Sequence, residues 1–239
     1  MGWNILIDEI ILDVKTAKKM DPAAKSYAEI LFLYQGGHAL ITYRIAHWLY
    51  IRKHFFLARW ISQHSRKRTL IEIHSGAILG HGIFIDHGAG VVIGETAEVG
   101  DNCLIYQCVT LGGTGKDIGK RHPTLEDNVM VSAGAKILGS FTIGENSKIG
   151  AGSVVLEEVP PNCTVVGVPG RIVRMGDKKI PRTDMDQVHL PDPVLNDLRE
   201  LHQDNLKLKK QLKELESQLR CVTKKDADDA QEGGHYEII

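Results

Sequence analysis

The sequence predicts an α+β protein, in which N-terminal helices precede a left-handed parallel β-helix and a coiled-coil helix follows it. Three patterns predict this class: helical periodicity over the first 69 residues, a six-residue repeat of branched apolar side chains from about residue 73, and a leucine heptad after residue 195. The predicted boundaries are 1–70 for the helical region, 71–175 for the β-helix, 176–194 for a linker, 195–221 for the coiled coil and 222–239 for a flexible tail.

Composition excludes several classes of protein. Hydrophobic residues make up 43% of the chain and charged residues 25%, and the formal net charge is -1, so no global field would recruit nucleic acid or an anionic membrane. The longest apolar stretch, 38–51, contains Arg44 and His47 and is too short and too polar to span a bilayer. Four cysteines without C-x-x-C spacing or a secretory leader predict reduced thiols in the cytoplasm.

The first 69 residues predict several helices. Ile5, Leu6 and Ile10 begin an amphipathic stripe. Asp21 before Pro22 predicts a helix cap followed by a helix-starting proline, and that helix should run to a break at 36–37. Two further periodic runs cover 40–51 and 56–71.

The β-helix is predicted by a strict count of six. Each hexad places one branched residue toward the interior, and a small side chain two residues earlier fits the tight corner of a triangular coil. The counted residues are Ile93, Val99, Ile105, Leu111, and then Leu125, Val131, Ile137, Ile143, Ile149 and Val155. Residues 112–124 interrupt the count as an excursion loop, whose Gly-rich start and Arg121-His122 end favour a functional loop.

A second interruption is a slip of two residues between Ile85 and Ile93. The slip should bulge one edge of the prism and expose Asp86 and His87. Glu72 lies one coil earlier near the same edge, so we expect a carboxylate–imidazole hydrogen bond between Glu72 and His87. Such a pair suits a general base, although it is also common as a purely structural contact.

A zinc site is the rival interpretation of the histidines. The carbonic anhydrases built on this fold have an H-x-x-x-x-H pair. No such pair occurs among the candidate ligands here, which are His74, His81, His87 and His122, so the sequence disfavours a metal.

The C-terminal heptad alternates spacings of three and four through Leu198, Leu201, Asn205, Leu208, Leu212, Leu215 and Leu219. This pattern predicts a coiled coil of about three heptads, with Asn205 at one seam position. The heptad alone fits either two or three strands, and a seam Asn can favour two, so the number of strands stays open.

Specific motifs resemble the serine O-acetyltransferase family over roughly residues 3–175. The motifs lie at 21–49, 86–97, 111–116, 121–123, 132–139, 149–155 and 167–173. The resemblance implies transfer of acetyl from acetyl-CoA, as co-substrate, to the L-serine hydroxyl for cysteine biosynthesis, with no tightly bound cofactor and no metal. It also implies L-cysteine as a feedback inhibitor.

The same resemblance implies roles for individual residues. His87 matches the catalytic base and Glu72 its carboxylate partner, which is often Asp in the family. Asp21 and Asp86 match residues that hold the serine ammonium, and the serine carboxylate is assigned to a basic pair, Arg121 and His122. The coenzyme A positions are Gly113, Thr114, Ala133, Lys148 and Ala151.

Assembly is implied in the same way. Family members form trimers with the active site between adjacent chains, and many have a longer N-terminal helical domain that joins two trimers; this chain begins just before the Asp21 segment, so we expect a homotrimer. The C-terminal Ile239 matches the residue that enters O-acetylserine sulfhydrylase. Two alternatives remain: an acetyltransferase for homoserine or a sugar, and a non-catalytic assembly module.

Overall fold

The computed structural model describes residues 3–113, 115, 118–176, 198 and 201–216. Four helices come first: α1 (Trp3–Met20), α2 (Tyr27–Leu33), α3 (Gln35–Ile51) and α4 (Phe55–Thr69). Fifteen short strands follow: β1 (Glu72–Ile73), β2 (Ile78–Leu79), β3 (Phe84–Asp86), β4 (Val92–Ile93), β5 (Glu98–Val99), β6 (Leu104–Tyr106), β7 (Thr110–Gly112), β8 (Thr124–Leu125), β9 (Met130–Val131), β10 (Lys136–Leu138), β11 (Thr142–Ile143), β12 (Lys148–Ile149), β13 (Val154–Val155), β14 (Cys163–Val166) and β15 (Arg171–Met175).

The strands build three parallel sheets, which are the three sides of a β-helix. A five-stranded sheet has the order β1-β4-β7-β10-β13, a four-stranded sheet the order β11-β8-β5-β2, and a six-stranded sheet the order β15-β14-β12-β9-β6-β3. From β1 to β13, every third strand therefore returns to the same side, as the six-residue count predicts. Two later strands extend the six-stranded sheet: β14 pairs parallel with β12, and β15 pairs antiparallel with β14.

The counted hexad residues fill the interior. All ten of them, from Ile93 to Val155, are at most 3% exposed, and the small corner residues Ala97, Cys103, Ala135, Ser147 and Ser153 are fully buried. A branched side chain at each sixth position therefore forms one continuous apolar column, and burial of that column is the main force that holds the coils together.

Two details of the helical prediction are wrong. Pro22 does not start a helix: Asp21 begins a turn, and α2 begins at Tyr27 after Ser26, whose hydroxyl accepts the Glu29 N–H. The break at 36–37 is also absent, because both glycines lie inside α3. A Cβ on Gly36 would lie 2.0 Å from the Ile85 carbonyl oxygen, so the glycine is needed for close packing of α3 on β3.

A buried ion cluster joins the helices to the first coil. Arg44 of α3 donates to the carbonyl of Leu79 at 2.8 Å and to Asp13 of α1 at 3.3 Å, and Glu9 lies 3.8 Å away. Asp13 also accepts the Gly82 N–H at 3.1 Å. Burial raises the pKa of Asp13, and the charge of Arg44 opposes that shift. The guanidinium therefore keeps two buried carboxylates compensated and holds α1 and α3 in place on the β-helix.

The C-terminal part forms a separate unit. The chain divides into two compact units, Met1–Asp192 and Pro193–Ile239. Residues 201–216 are helical, and the seam positions from Leu198 to Leu215 that the structure describes are exposed in the single chain. The helix agrees with the heptad prediction, while the exact domain boundaries remain a prediction. Leu219, the linker from 177 and the tail lie outside the described residues.

None of the described helices combines the length and the apolar character needed to cross a bilayer.

We predict that Arg44→Leu destabilises the protein by about 3–5 kcal/mol, because it leaves Asp13 and Glu9 buried without their cation. The measurement is urea unfolding at one fixed chain concentration. Arg68→Leu is the matched control, since Arg68 is an exposed arginine of α4 and its replacement should change the free energy of unfolding by less than about 0.5 kcal/mol. Equal effects of the two substitutions would contradict the role of the buried cluster.

Candidate active site

The candidate residues lie on two edges of the β-helix. The His87 edge joins the six-stranded sheet to the five-stranded sheet and consists of residues 70–71, 87–91, 107–109, 132–135 and 150–153. The His122 edge joins the five-stranded sheet to the four-stranded sheet and contains, among the described residues, 74–77, 94–97, 113, 115, 118–123 and 139–141. The width of the five-stranded sheet separates the two edges, about 10–13 Å for three to four extended residues.

The slip in the count exposes His87, as the sequence predicts. His87 has φ 108°, an unusual value for a residue with a side chain, and its side chain is 74% exposed. Gly88 allows the chain to turn back, because its φ is 57° and a Cβ there would lie 2.3 Å from Ile71 Cδ1. The backbone strain at this bulge is therefore used to present an imidazole.

One carboxylate lies beside this imidazole, and a second belongs to the same electrostatic cluster. Asp86 Oδ1 is 3.6 Å from His87 Nε2. Burial raises the pKa of Asp86; the His87 charge opposes this shift and the Asp21 charge adds to it, which places Asp21 in the same electrostatic cluster. Asp86 itself remains in strand β3 and its side chain is only 22% exposed, so the bulge pushes out His87 rather than both residues.

Tyr34 is a member of this cluster that the sequence did not indicate. Its hydroxyl donates to Asp21 Oδ2, while Asp21 Oδ1 accepts the Ala23 N–H at 2.8 Å. The hydrogen bond to Asp21, together with burial and the charge of Asp86, raises the pKa of Tyr34 to about 12. Tyr34 therefore stays a neutral donor and fixes the position of the Asp21 carboxylate.

The expected contact between Glu72 and His87 is absent from the described residues. The strand register places Glu72 opposite Val92, and the residues beneath the bulge are 70–71. Glu72 instead forms ion pairs with two arginines of α4, at 3.2 Å from Arg66 and 3.7 Å from Arg59. The predicted contact was wrong because Glu72 belongs to strand β1, just past the edge, where Arg59 and Arg66 of α4 reach it.

Arg121 and His122 lie on the other edge, and Thr96 holds both. The Thr96 hydroxyl accepts the backbone N–H groups of Arg121 and His122, at 3.0 and 3.2 Å. The same hydroxyl lies 2.9 Å from His122 Nδ1, which also accepts the Thr96 N–H at 3.2 Å. Because a backbone N–H can only donate, Nδ1 carries no proton and the neutral ring presents Nε2–H.

The surroundings of His122 favour this neutral form. Burial lowers the pKa of His122, and the charge of Arg121 lowers it further. The ring packs between two glycines, since a Cβ on Gly94 would lie 2.0 Å from His122 Nε2 and one on Gly113 would lie 3.4 Å from it. Replacement of Gly94 by any larger residue would therefore displace the ring.

The coenzyme positions that the sequence predicts are distributed over both edges and the six-stranded sheet. Ala133 and Ala151 lie on the His87 edge, above the bulge. Backbone hydrogen bonds of 2.8–2.9 Å connect successive coils along this edge, from the N–H groups of Gly90, Cys108, Gly134 and Gly152 to the carbonyls of Leu70, Ala89, Gln107 and Ala133, respectively. Gly113 lies on the His122 edge. Lys148 is buried in strand β12 of the six-stranded sheet, which disagrees with a solvated surface lysine. Thr114 and Ile239 lie outside the described residues.

Cys108 is a further residue of the His87 edge that the sequence did not indicate. Its exposed thiol donates to the Ala89 carbonyl at 3.5 Å, one coil above His87. As for metals, the described residues contain no group of three or more His, Cys, Asp or Glu side chains that could hold an ion.

The bacterial transferase hexapeptide family (six repeats) matches residues 122–157. The serine acetyltransferase of Bacillus subtilis is 56% identical over 202 residues, which cover 84% of this chain and 93% of the relative. The chain belongs to the serine acetyltransferase family.

Solved structures of serine acetyltransferases share the fold. The Neisseria gonorrhoeae serine acetyltransferase in complex with serine is 42% identical with a TM-score of 0.70, and the match covers 72% of this chain and 70% of that chain. The Brucella abortus serine acetyltransferase in complex with coenzyme A is 44% identical with a TM-score of 0.70, and the match covers 72% of this chain and 68% of that chain. A serine acetyltransferase in complex with cysteine is 41% identical with a TM-score of 0.75, and the match covers 79% of this chain and 73% of that chain. These similarities confirm the left-handed β-helix.

For this member of the serine acetyltransferase family, we predict that His122 at pH 7 is neutral with its proton on Nε2. Thr96→Val should raise the pKa of His122, because it removes a hydrogen bond to the neutral ring. The measurement is NMR titration of ¹⁵N-labelled histidine, with Thr142→Val as a control on the four-stranded sheet. A charged ring, or a proton on Nδ1, in the unsubstituted protein would contradict this tautomer.

Proposed function

We propose that the chain transfers the acetyl group of acetyl-CoA to the hydroxyl of L-serine, forming O-acetylserine for cysteine biosynthesis. The observation that carries the proposal is the combination of 56% identity to a serine acetyltransferase with both charge signs at the site. Asp21 and Asp86 suit an ammonium group, and Arg121 with the Nε2–H of His122 suits a carboxylate. A sugar would need neither pair.

His87 acts as the general base in this proposal. It removes the proton of the serine hydroxyl as the oxygen attacks the thioester carbonyl, which forms the new carbon–oxygen bond of a tetrahedral intermediate. The carbon–sulfur bond then breaks, and the imidazolium gives its proton to the departing thiolate of coenzyme A. Asp86, 3.6 Å from Nε2, is the described carboxylate that can stabilise the imidazolium. Glu72 can take this part only if its side chain leaves Arg59 and Arg66. A backbone N–H near Gly113 would stabilise the oxyanion by about 3–4 kcal/mol.

A complete site requires two chains in this proposal. His87 lies on one edge, next to the cluster of Asp21 and Asp86, and the pair assigned to the serine carboxylate lies on the other edge, with the five-stranded sheet between them. A single serine cannot reach both groups across that sheet. A cyclic homotrimer that brings the His87 edge of one chain against the His122 edge of the next would close three equivalent sites, with acetyl-CoA lying along Ala133 and Ala151.

Three further features are part of the proposal. L-Cysteine carries the ammonium and carboxylate of serine and should bind competitively with it, in agreement with the cysteine complex of a similar protein. Ile239 would dock into O-acetylserine sulfhydrylase through its free carboxylate, which titration of a peptide of residues 230–239, with and without Ile239, would test by calorimetry. The cytoplasm is the proposed compartment, where Cys103, Cys108 and Cys163 would remain the free thiols observed.

We predict that His87→Ala lowers the turnover of L-serine about 10²- to 10⁴-fold while acetyl-CoA affinity stays near normal. The assay follows thiol release from acetyl-CoA, with L-homoserine as an alternative acceptor in parallel. His64→Gln, an exposed histidine of α4, is the control and should be fully active. Near-normal turnover by His87→Ala would refute the base, and faster turnover of homoserine than of serine would refute the substrate.

A further inference from the structure

We propose that Glu95 is a positioning residue that aims the Arg121 guanidinium at the substrate carboxylate. The proposal rests on the proposed function, because it assigns Arg121 to the serine carboxylate. Glu95 lies in the turn after β4 on the His122 edge, 26 residues before Arg121 along the chain. None of the sequence motifs indicated a role for it.

The two oxygens of Glu95 are held by different elements. Oε2 accepts a hydrogen bond from Arg121 Nη2, and Oε1 lies 3.4 Å from the Tyr50 hydroxyl, which donates to it. The Arg121 hydrogen bond lowers the pKa of Glu95, which keeps the carboxylate charged. A charged, doubly held carboxylate fixes one end of the guanidinium and leaves other N–H groups of the planar fork available to a ligand.

Tyr50 is itself held firmly by helix α3. Tyr43 donates to the Ala77 carbonyl at 2.6 Å, and His47 Nδ1 lies 2.9 Å from the Ser75 carbonyl, so successive turns of α3 are fixed to the first coil on the His122 edge. The Tyr50 ring also packs edge-on against His74 and Phe55, at centroid distances of 6.1 and 5.0 Å. The chain of hydrogen bonds from Tyr50 through Glu95 to Arg121 therefore begins at a helix that is fixed to the β-helix.

Thr96 and Glu95 fix different parts of the loop end: Thr96 holds the backbone, and Glu95 holds the Arg121 side chain. Thr96 fixes the backbone of residues 121–122 through two N–H groups. Backbone fixation leaves the long Arg121 side chain with several rotamers, and its Nη1 makes only a long contact, 3.4 Å, to the Gly119 carbonyl. The Glu95 ion pair is therefore the interaction that selects the rotamer of the guanidinium.

The predicted kinetic effect follows from where Arg121 would bind. The serine carboxylate is remote from the reacting hydroxyl, so its binding energy is the same in the ground state and the transition state. Loss of such uniform binding raises KM and leaves kcat unchanged. Prior immobilisation of one rotamer-rich side chain corresponds to about a 5- to 10-fold change in affinity.

The test compares Glu95→Gln, Tyr50→Phe and the control Glu98→Gln in the thiol-release assay. Glu98 is matched, because it also pairs with a cation of the same loop, Lys120 at 2.9 Å, but contacts neither Arg121 nor His122. We expect Glu95→Gln to raise the KM for serine about 5- to 10-fold, with kcat and the KM for acetyl-CoA within about 2-fold of the unsubstituted protein. Tyr50→Phe should raise the KM for serine by a smaller factor, and Glu98→Gln should leave the KM for serine unchanged.

Three results would overturn the inference. An unchanged KM for serine in Glu95→Gln would make the ion pair a surface contact only. A lowered KM would mean that Glu95 competes with serine for Arg121. An equal rise in the KM for serine in Glu98→Gln would assign the effect to general anchoring of the loop. If the unsubstituted protein fails to acetylate serine, the proposed function falls as well, and that outcome is distinguishable because it precedes any substitution.

Discussion

The six-residue constraint on the interior determines where chemistry can occur in this protein. Each coil must place one branched side chain inward on each side, and those residues are almost completely buried. Polar and charged groups are thereby confined to the outer faces and the edges. The edges are the places where the chain can depart from the count, by a slip of two residues at His87 or by the excursion that ends at His122. Both departures carry the candidate functional groups.

Under the proposed function, the same constraint means that one chain holds only half of each site. The edges of a triangular prism point in different directions, so the His87 edge and the His122 edge of one chain cannot converge on one small molecule. In the proposed trimer, a second copy supplies the other edge. Within each edge, by contrast, the structure is already well ordered: Tyr34 fixes Asp21 on the first, and Thr96 with Glu95 fixes Arg121 and His122 on the second. In the proposed trimer, the two halves would therefore need docking rather than rearrangement.

The periodic parts of the molecule were predictable from the sequence, because periodicity reports burial directly. The hexad column from Ile93 to Val155 and the exposure of His87 are examples. Contacts that depend on register or on long side chains were not. Glu72 was expected beside His87, but one strand position decides whether it faces the edge or the arginines of α4. Thr96 and Glu95 gave no signal, since their partners are 25 and 26 residues away across the excursion loop.

The helical region shows a similar limit. The glycines at 36–37 were interpreted as a helix break from their low helix propensity, whereas α3 uses Gly36 to approach the Ile85 carbonyl. Propensity describes an isolated helix, and tertiary packing overrides it here. The buried cation of the cluster, Arg44, was noted only as an interruption of an apolar run; the folded structure shows that it compensates Asp13 and Glu9 at the joint between the helices and the β-helix.

Complementation between subunits tests the two-chain site most directly. His87→Ala and Arg121→Ala chains are co-expressed and assayed at serine concentrations well below saturation. Random assembly of trimers should restore about one quarter of the unsubstituted activity, because one interface in four combines an intact His87 edge with an intact His122 edge. A mixture of His87→Ala with Asp86→Ala, both on the His87 edge, should stay inactive. If the first mixture is no more active than either variant alone, the site lies within one chain and the account is contradicted.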